Sequence, residues 1–129
     1  IKSRGIGLSA SQVGINKSFF IMGNNETYTV ITNPKIIESS KELVKMEEGC
    51  LSFPDLFIKV LRPENVDVEY VNTNGKIVNE TLTSMVSRVF QHEADHTKGV
   101  TFDTLVSKLV LNMAEKKRLN KWKKDGRRV

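Results

Sequence analysis

"TLTSMVSRVFQHEADHTKG", residues 81–99, holds both histidines of the chain, at positions 92 and 96, with a glutamate between them. Thr83 or Ser84 can cap a helix start, and Gly99 can end it through a left-handed residue. Between them Met85, Val89, His92 and His96 recur at i, i+4, i+7 and i+11, which is one helical stripe; Val86, Phe90 and Glu93 flank it. The pattern predicts a helix whose early turns belong to a core and whose late turns carry a site. Residues four apart on a helix are offset by about 40° and rise about 6 Å, so the two imidazoles project side by side. Neutral imidazole is a common ligand for divalent metals, and Glu93 stands where it can reach a water on such an ion without being a ligand. This is the logic of H-E-x-x-H, in which two histidines grip the ion and the glutamate is the general base. A helix with a plain surface pair of histidines carries the same short pattern.

A catalytic site of this kind needs a third protein ligand. Downstream, "HEADHTKGVTF", residues 92–102, follows the metzincin spacing H-E-x-x-H-x-x-G-x-x-H as far as Gly99, then places Phe102 where the third histidine belongs. Glu115, in the charged stretch "NMAEKKRL", is the glutamate left after Glu93, and with His92 and His96 it would make a zinc endopeptidase. Upstream, Cys50 is the only cysteine, in "EEGCLSFP", where Gly49 permits unusual backbone geometry and Pro54 ends the stretch. Lone cysteines are more often small buried hydrophobes than ligands. A thiolate with two imidazoles, however, leaves one position of a tetrahedron open, which is a catalytic arrangement and not a closed structural one.

"GIGLSASQ" at 5–12, "EGCLS" at 48–52 and "QHEADH" at 91–96 together resemble the three signature motifs of the peptide deformylase family, in that family's order. They consume the only cysteine and both histidines. The resemblance implies an α+β fold, antiparallel sheets packed around the metal-binding helix, and a metal-dependent hydrolase. Such an enzyme removes the formyl group from the N-terminal methionine of new proteins and releases formate. It implies Cys50, His92 and His96 as metal ligands and Glu93 as the residue that takes and returns the proton. The Gln12 side chain and the Leu51 backbone N–H would stabilise the developing oxyanion. Ile6 and Gly7 would run beside the substrate peptide, and Ile6, Met85 and Val89 would line the methionine pocket. Glu48 would brace the site and help bind the peptide backbone.

The metal follows from the donors only as a class: one sulfur and two nitrogens suit Zn²⁺, Fe²⁺, Co²⁺ or Ni²⁺. The resemblance favours Fe²⁺, replaced by zinc during handling. The glycines of residues 5–12 do not form G-x-G-x-x-G and no strand signal precedes them, so a phosphate loop is rejected. Four departures from the family stand out. Phe57 occupies a place where an arginine is frequent, and a leading segment with a helix is expected ahead of Gly5, whereas this sequence starts at Ile1. Arg88 stands near the pocket rim, where relatives usually carry an apolar residue, and could replace some of the charge missing at position 57; Ser9 replaces a more usual alanine.

Outward from the motifs, the chain reads mostly as strands. "SFFIMG" and "TYTVITNP" are β-rich runs joined by "NNE", a hairpin signal. "NVDVEYVNTNGKIVNETL" alternates apolar and polar residues about Asn74-Gly75, a dipeptide that favours a type I′ turn. Asp103 or Thr104 can cap a final helix, with Leu105, Val106, Leu109, Val110 and Met113 as the stripe that docks it. With 129 residues, 39% of them hydrophobic, and no linker, repeat or low-complexity run, the chain reads as a single catalytic domain, 1–129, with a basic helix and tail from about 104.

Lys116 to Val129 carries eight Lys/Arg and one Asp, hence +7; the whole chain is +5, so residues 1–115 amount to −2. That local charge suits attraction to phosphate backbones, and some relatives dock on the ribosome through a basic C-terminal helix. A solvated tail would look the same, and Trp122 could stack on RNA or cover the core edge. No apolar stretch approaches the roughly 20 residues of a membrane span. A single cysteine forms no internal disulfide, which fits a reducing compartment: the cytoplasm, or an organelle with its own translation system. The expected partners are N-formyl-methionyl nascent peptides.

Overall fold

The computed structural model describes residues 6–9, 19–23, 26–50 and 53–126. The strands are β1 (Ile6–Ser9), β2 (Phe19–Gly23), β3 (Tyr28–Ser39), β4 (Leu43–Cys50), β5 (Phe53–Pro63), β6 (Asn65–Val71) and β7 (Ile77–Thr83). The helices α1 (Ser84–Thr97) and α2 (Lys108–Lys124) follow, with a 3₁₀ turn over Phe102–Leu105 between them. The chain divides into two compact units, Ile1–Val44 with Arg62–Thr101, and Lys45–Leu61 with Phe102–Val129. The α+β class expected from the sequence is the class observed.

In the first unit a five-stranded antiparallel sheet has the order β1-β2-β3-β6-β7. Period-2 alternation puts Val66, Val68 and Tyr70 of β6 inward while Asp67 and Glu69 point away. Phe20 lies directly opposite Ile31, and Val66 opposite Leu82. Onto this face α1 lowers Phe90 and Ala94, which are i, i+4 neighbours. Phe90, fully buried, meets Phe20 edge-to-face at 5.3 Å and Tyr70 at 6.4 Å.

The helix itself departs from its expected stripe. Met85 is 39% exposed, while Ser87, Arg88, Phe90, Gln91 and Ala94 are buried. The core seam therefore runs through Phe90 and Ala94, because the two aromatic partners on the sheet accept a ring there. Thr83 takes the cap position in extended geometry but makes no side-chain cap bond, and the Ser84 hydroxyl donates to Glu64 Oε1 instead. The C-terminus is as the sequence suggests. Gly99 is left-handed at φ +77; its N–H donates to the His96 carbonyl, and that of Val100 to the Asp95 carbonyl.

One strand runs longer than its sequence signal, and one turn expectation is corrected. β3 does not stop at Pro34 but runs to Ser39, because Asn33 adopts φ +51 and a register shift between Thr32 and Lys35 carries the proline through the ladder as a bulge. The β6–β7 connection is not type I′, which needs positive φ at both central residues. Gly75 has φ +77, whereas Asn74 is not among the described residues of positive φ. The Gly75 N–H donates to the Asn72 carbonyl, closing a turn over 72–75 that ends in a glycine bulge. The Asn72 side chain causes this by accepting from the N–H groups of Asn74 and Lys76.

In the second unit β5 buries Leu56, Ile58 and Val60 on one face, around the fully enclosed Phe102. Phe53 meets Phe102 edge-to-face at 5.6 Å. α2 starts later than expected. Ser107, not Asp103 or Thr104, is the cap, its Oγ accepting from the Val110 N–H, since residues 102–105 are spent in the 3₁₀ turn. The side chains packed on this core are Val106, Leu111 and Ala114, while Leu109 and Met113 are exposed. Trp122 donates to Asp55 Oδ2 at 2.7 Å and lies under the Arg118 guanidinium, so it serves this unit.

Tyr70 supplies a test of the first core. Burial, reinforced by the hydrogen bond to Glu80 (2.7 Å) and that carboxylate's charge, pushes its phenol from 10.0 up to about 12. A raised native pKa means that the neutral phenol's contribution is fully present below about pH 10 and is lost as pH climbs toward 12. In chemical denaturation, wild-type stability is expected to fall more steeply across that window than the stability of Tyr70→Phe.

Candidate metal centre

His92 and His96 occupy consecutive turns of α1 and are 8% and 6% exposed. Their Nε2 atoms are 3.1 Å apart, with the rings inclined at 63°. Two nitrogens each about 2.05 Å from a shared zinc-sized ion subtend about 100° at that separation, within the range that divalent ions accept. The same distance admits an N–H···N bond between the two rings. Glu93, 3% exposed, is enclosed on the same turn. The donors fit a divalent metal: two buried, neutral-capable imidazoles with a carboxylate alongside.

Several polar ties set the rotation of α1. Arg62 is buried and its Nη1 meets Asp95 Oδ2 at 2.8 Å. Gln91 Nε2 donates to the Pro63 carbonyl (3.0 Å) and to Ser87 Oγ (2.9 Å). Arg88 Nη2 donates to the Val44 carbonyl at 2.6 Å. Arg88, expected at the pocket rim, is instead one of these anchors, and none of the four was assignable as an anchor from sequence. The available signal was Ser87, Arg88, Gln91 and Asp95 interleaved with the ligand stripe at spacings too polar for a plain core helix.

The second unit holds Cys50 at the end of β4, half-buried and packed against the Leu56–Phe102 cluster. Alternation along β4 gives Glu48 and Cys50 one face, and Glu48 is 6% exposed. Gly49 is glycine for a different reason than expected. Its φ is not positive; a Cβ there would lie 2.7 Å from the Phe57 ring. Phe57 thus lies over the residue next to the cysteine. Glu115 is paired with Arg118 on α2. Of the residues the resemblance assigned to substrate, Ile6 and Gly7 form β1 backbone, Met85 is exposed and Val89 half-buried on α1. Gln12 and Leu51 lie outside the described residues.

A profile of the polypeptide deformylase family matches residues 1–111. The chain belongs to that family. A peptide deformylase of Thermotoga maritima is 46% identical over 96 residues, covering 74% of this chain and 58% of its own length. One from Fusobacterium nucleatum is 36% identical over 126 residues, covering 97% of this chain and 72% of its own length. The chain spans 58% of the length of the Thermotoga relatives. Among solved structures, the Thermotoga maritima peptide deformylase superposes with TM-score 0.76 at 43% identity, over 79% of this chain and 69% of that one. An Arabidopsis thaliana peptide deformylase 1B gives TM-score 0.81 at 35% identity, over 92% and 68%.

Asp95→Ala takes the carboxylate away from a buried guanidinium. The expected loss is about 2 kcal/mol of unfolding free energy, measured by urea titration, because the buried guanidinium loses a charge-assisted hydrogen bond.

Proposed function

We propose that this chain is a metal-dependent hydrolase that removes the N-formyl group from N-terminal formyl-methionine of newly made proteins, releasing formate, and that it acts as a single catalytic domain. The observation that carries the reading is the buried His92–His96 pair with Glu93 on the same turn, inside the segment matched by the family. Members of the family depend on a metal. Cys50, His92 and His96 supply one thiolate and two imidazoles to the ion, a donor set that suits Fe²⁺ natively and Zn²⁺, Co²⁺ or Ni²⁺ in substitution. When bound, the ion contributes Lewis acidity and a water-derived nucleophile at neutral pH.

The chain's own residues handle the proton and the charge. Glu93 accepts the proton of the attacking water and passes it to the departing amine, a role that enclosure favours by limiting competition from solvent. The Gln12 amide and the Leu51 N–H donate to the oxygen that becomes negative as the formyl carbon turns tetrahedral. Ile6 and Gly7 offer strand backbone to the peptide, Met85 and Val89 offer α1 side chains to its methionine, and Glu48 holds the peptide backbone. The basic stretch 116–129 attracts the phosphate-rich ribosome from which such substrates emerge. The compartment is one that makes formylated proteins, whether cytoplasm or organelle; no helix among the described residues is long and apolar enough to cross a membrane.

The metal-loaded chain is expected to release formate from a formyl-methionyl peptide and to stop when a chelator strips the ion. Glu93→Ala should retain the metal yet lose about 10²–10⁴-fold in kcat, the range of a general base. No formate from a fully metallated sample rejects the assignment.

A further inference from the structure

We propose that Arg88 is a positioning residue for the metal-binding turn of α1, acting through its bond to the Val44 carbonyl. The inference rests on the reading of His92 and His96 as metal ligands. Arg88 is 6% exposed, and a guanidinium cannot shed its charge to suit burial. An apolar side chain of similar volume would sit there at lower desolvation cost. What the arginine adds is direction. Its Nη2 reaches a carbonyl 44 residues away in sequence, at 2.6 Å, and a charge-assisted bond of that length holds angle as well as distance.

Its place on the helix decides what is held. Arg88 precedes His92 by four residues, so the two share a face on consecutive turns, and His96 continues that face one turn later. A rotation of α1 that swings the imidazoles aside must break the Val44 bond. Phe90 fixes how deeply the helix sits, but a ring in an apolar socket resists rotation less sharply than a bond to a fixed carbonyl does. Gln91 ties another side of the helix to Pro63, while Asp95, about 20° round from Arg88, ties the adjoining strip to Arg62. Of these ties Arg88 lies nearest in direction to the two histidines, about 40° from His92. Loss of a group bonded directly to a metal ligand typically costs about 10–100-fold in affinity; Arg88 acts through the helix, so the low end of that range is expected.

The test is cobalt(II) binding to the metal-stripped full chain, read by visible absorption in competition with a chelator. Arg88→Met and Arg88→Gln, which cannot hold Val44, are expected to weaken cobalt binding about tenfold and to shift the visible bands, because the ligand angles relax. Arg88→Lys, which keeps a charged donor, is expected to stay within about threefold of wild type. A folded Met or Gln variant with wild-type affinity and bands overturns the proposal, and so does a Lys variant as impaired as those two. His92→Ala serves as the control. If it still binds cobalt as wild type does, the ligand reading fails first and this inference with it.

Discussion

The seating of one aromatic ring governs the rest of the first unit. Phe90 enters the socket formed by Phe20, Tyr70 and their neighbours, which fixes how deeply the helix sits on the sheet. His92, Glu93 and His96 follow within two turns, so the core sets their depth before any ligand is considered. Hydrophobic burial is non-directional, however, and a depth is not yet an angle. The angle comes from polar ties made by Arg62, Gln91 and Arg88 to groups whose positions the strands determine. Gly99 then stops the helix one turn beyond the second imidazole, and its left-handed backbone satisfies the last carbonyls without a longer helix.

How much of this was legible in the sequence follows from the kind of signal each residue carries. The histidine-bearing helix, its glycine stop and the β2–β3 and β6–β7 hairpins were legible, because periodicity and Gly/Asn punctuation are local. The helix's core seam was not. Met85 and Val89 match the period as well as Phe90 and Ala94 do, and only the waiting aromatic partners on the sheet decide between them. The same limit applies to α2, where Leu109 and Met113 fit a docking stripe but Leu111 and Ala114 make the contact. Asn74-Gly75 announced a turn correctly and its type wrongly, since the Asn72 side chain competes for the neighbouring N–H groups.

The candidate site shows a similar division. Both histidines, Glu93 and Cys50 could be singled out by residue type and motif. Burial of Glu48 and the reason for Gly49 could not: the first depends on strand alternation in β4, the second on where the Phe57 ring lies. A glycine beside a cysteine reads as backbone freedom, yet here it makes room for an aromatic side chain. The basic C-terminal stretch was visible as charge. Its tryptophan was not assignable until Asp55 and Arg118 were seen to hold it.

The central claim is that one sulfur and two imidazole nitrogens, from Cys50, His92 and His96, bind a single ion. X-ray absorption at the metal edge of the zinc- or iron-loaded chain tests it most directly. The account predicts one sulfur scatterer at about 2.3 Å and two imidazole nitrogens at about 2.0–2.1 Å for zinc, with the sulfur lost in Cys50→Ala. A stoichiometrically loaded wild-type protein whose spectrum contains no sulfur in the first shell would contradict it.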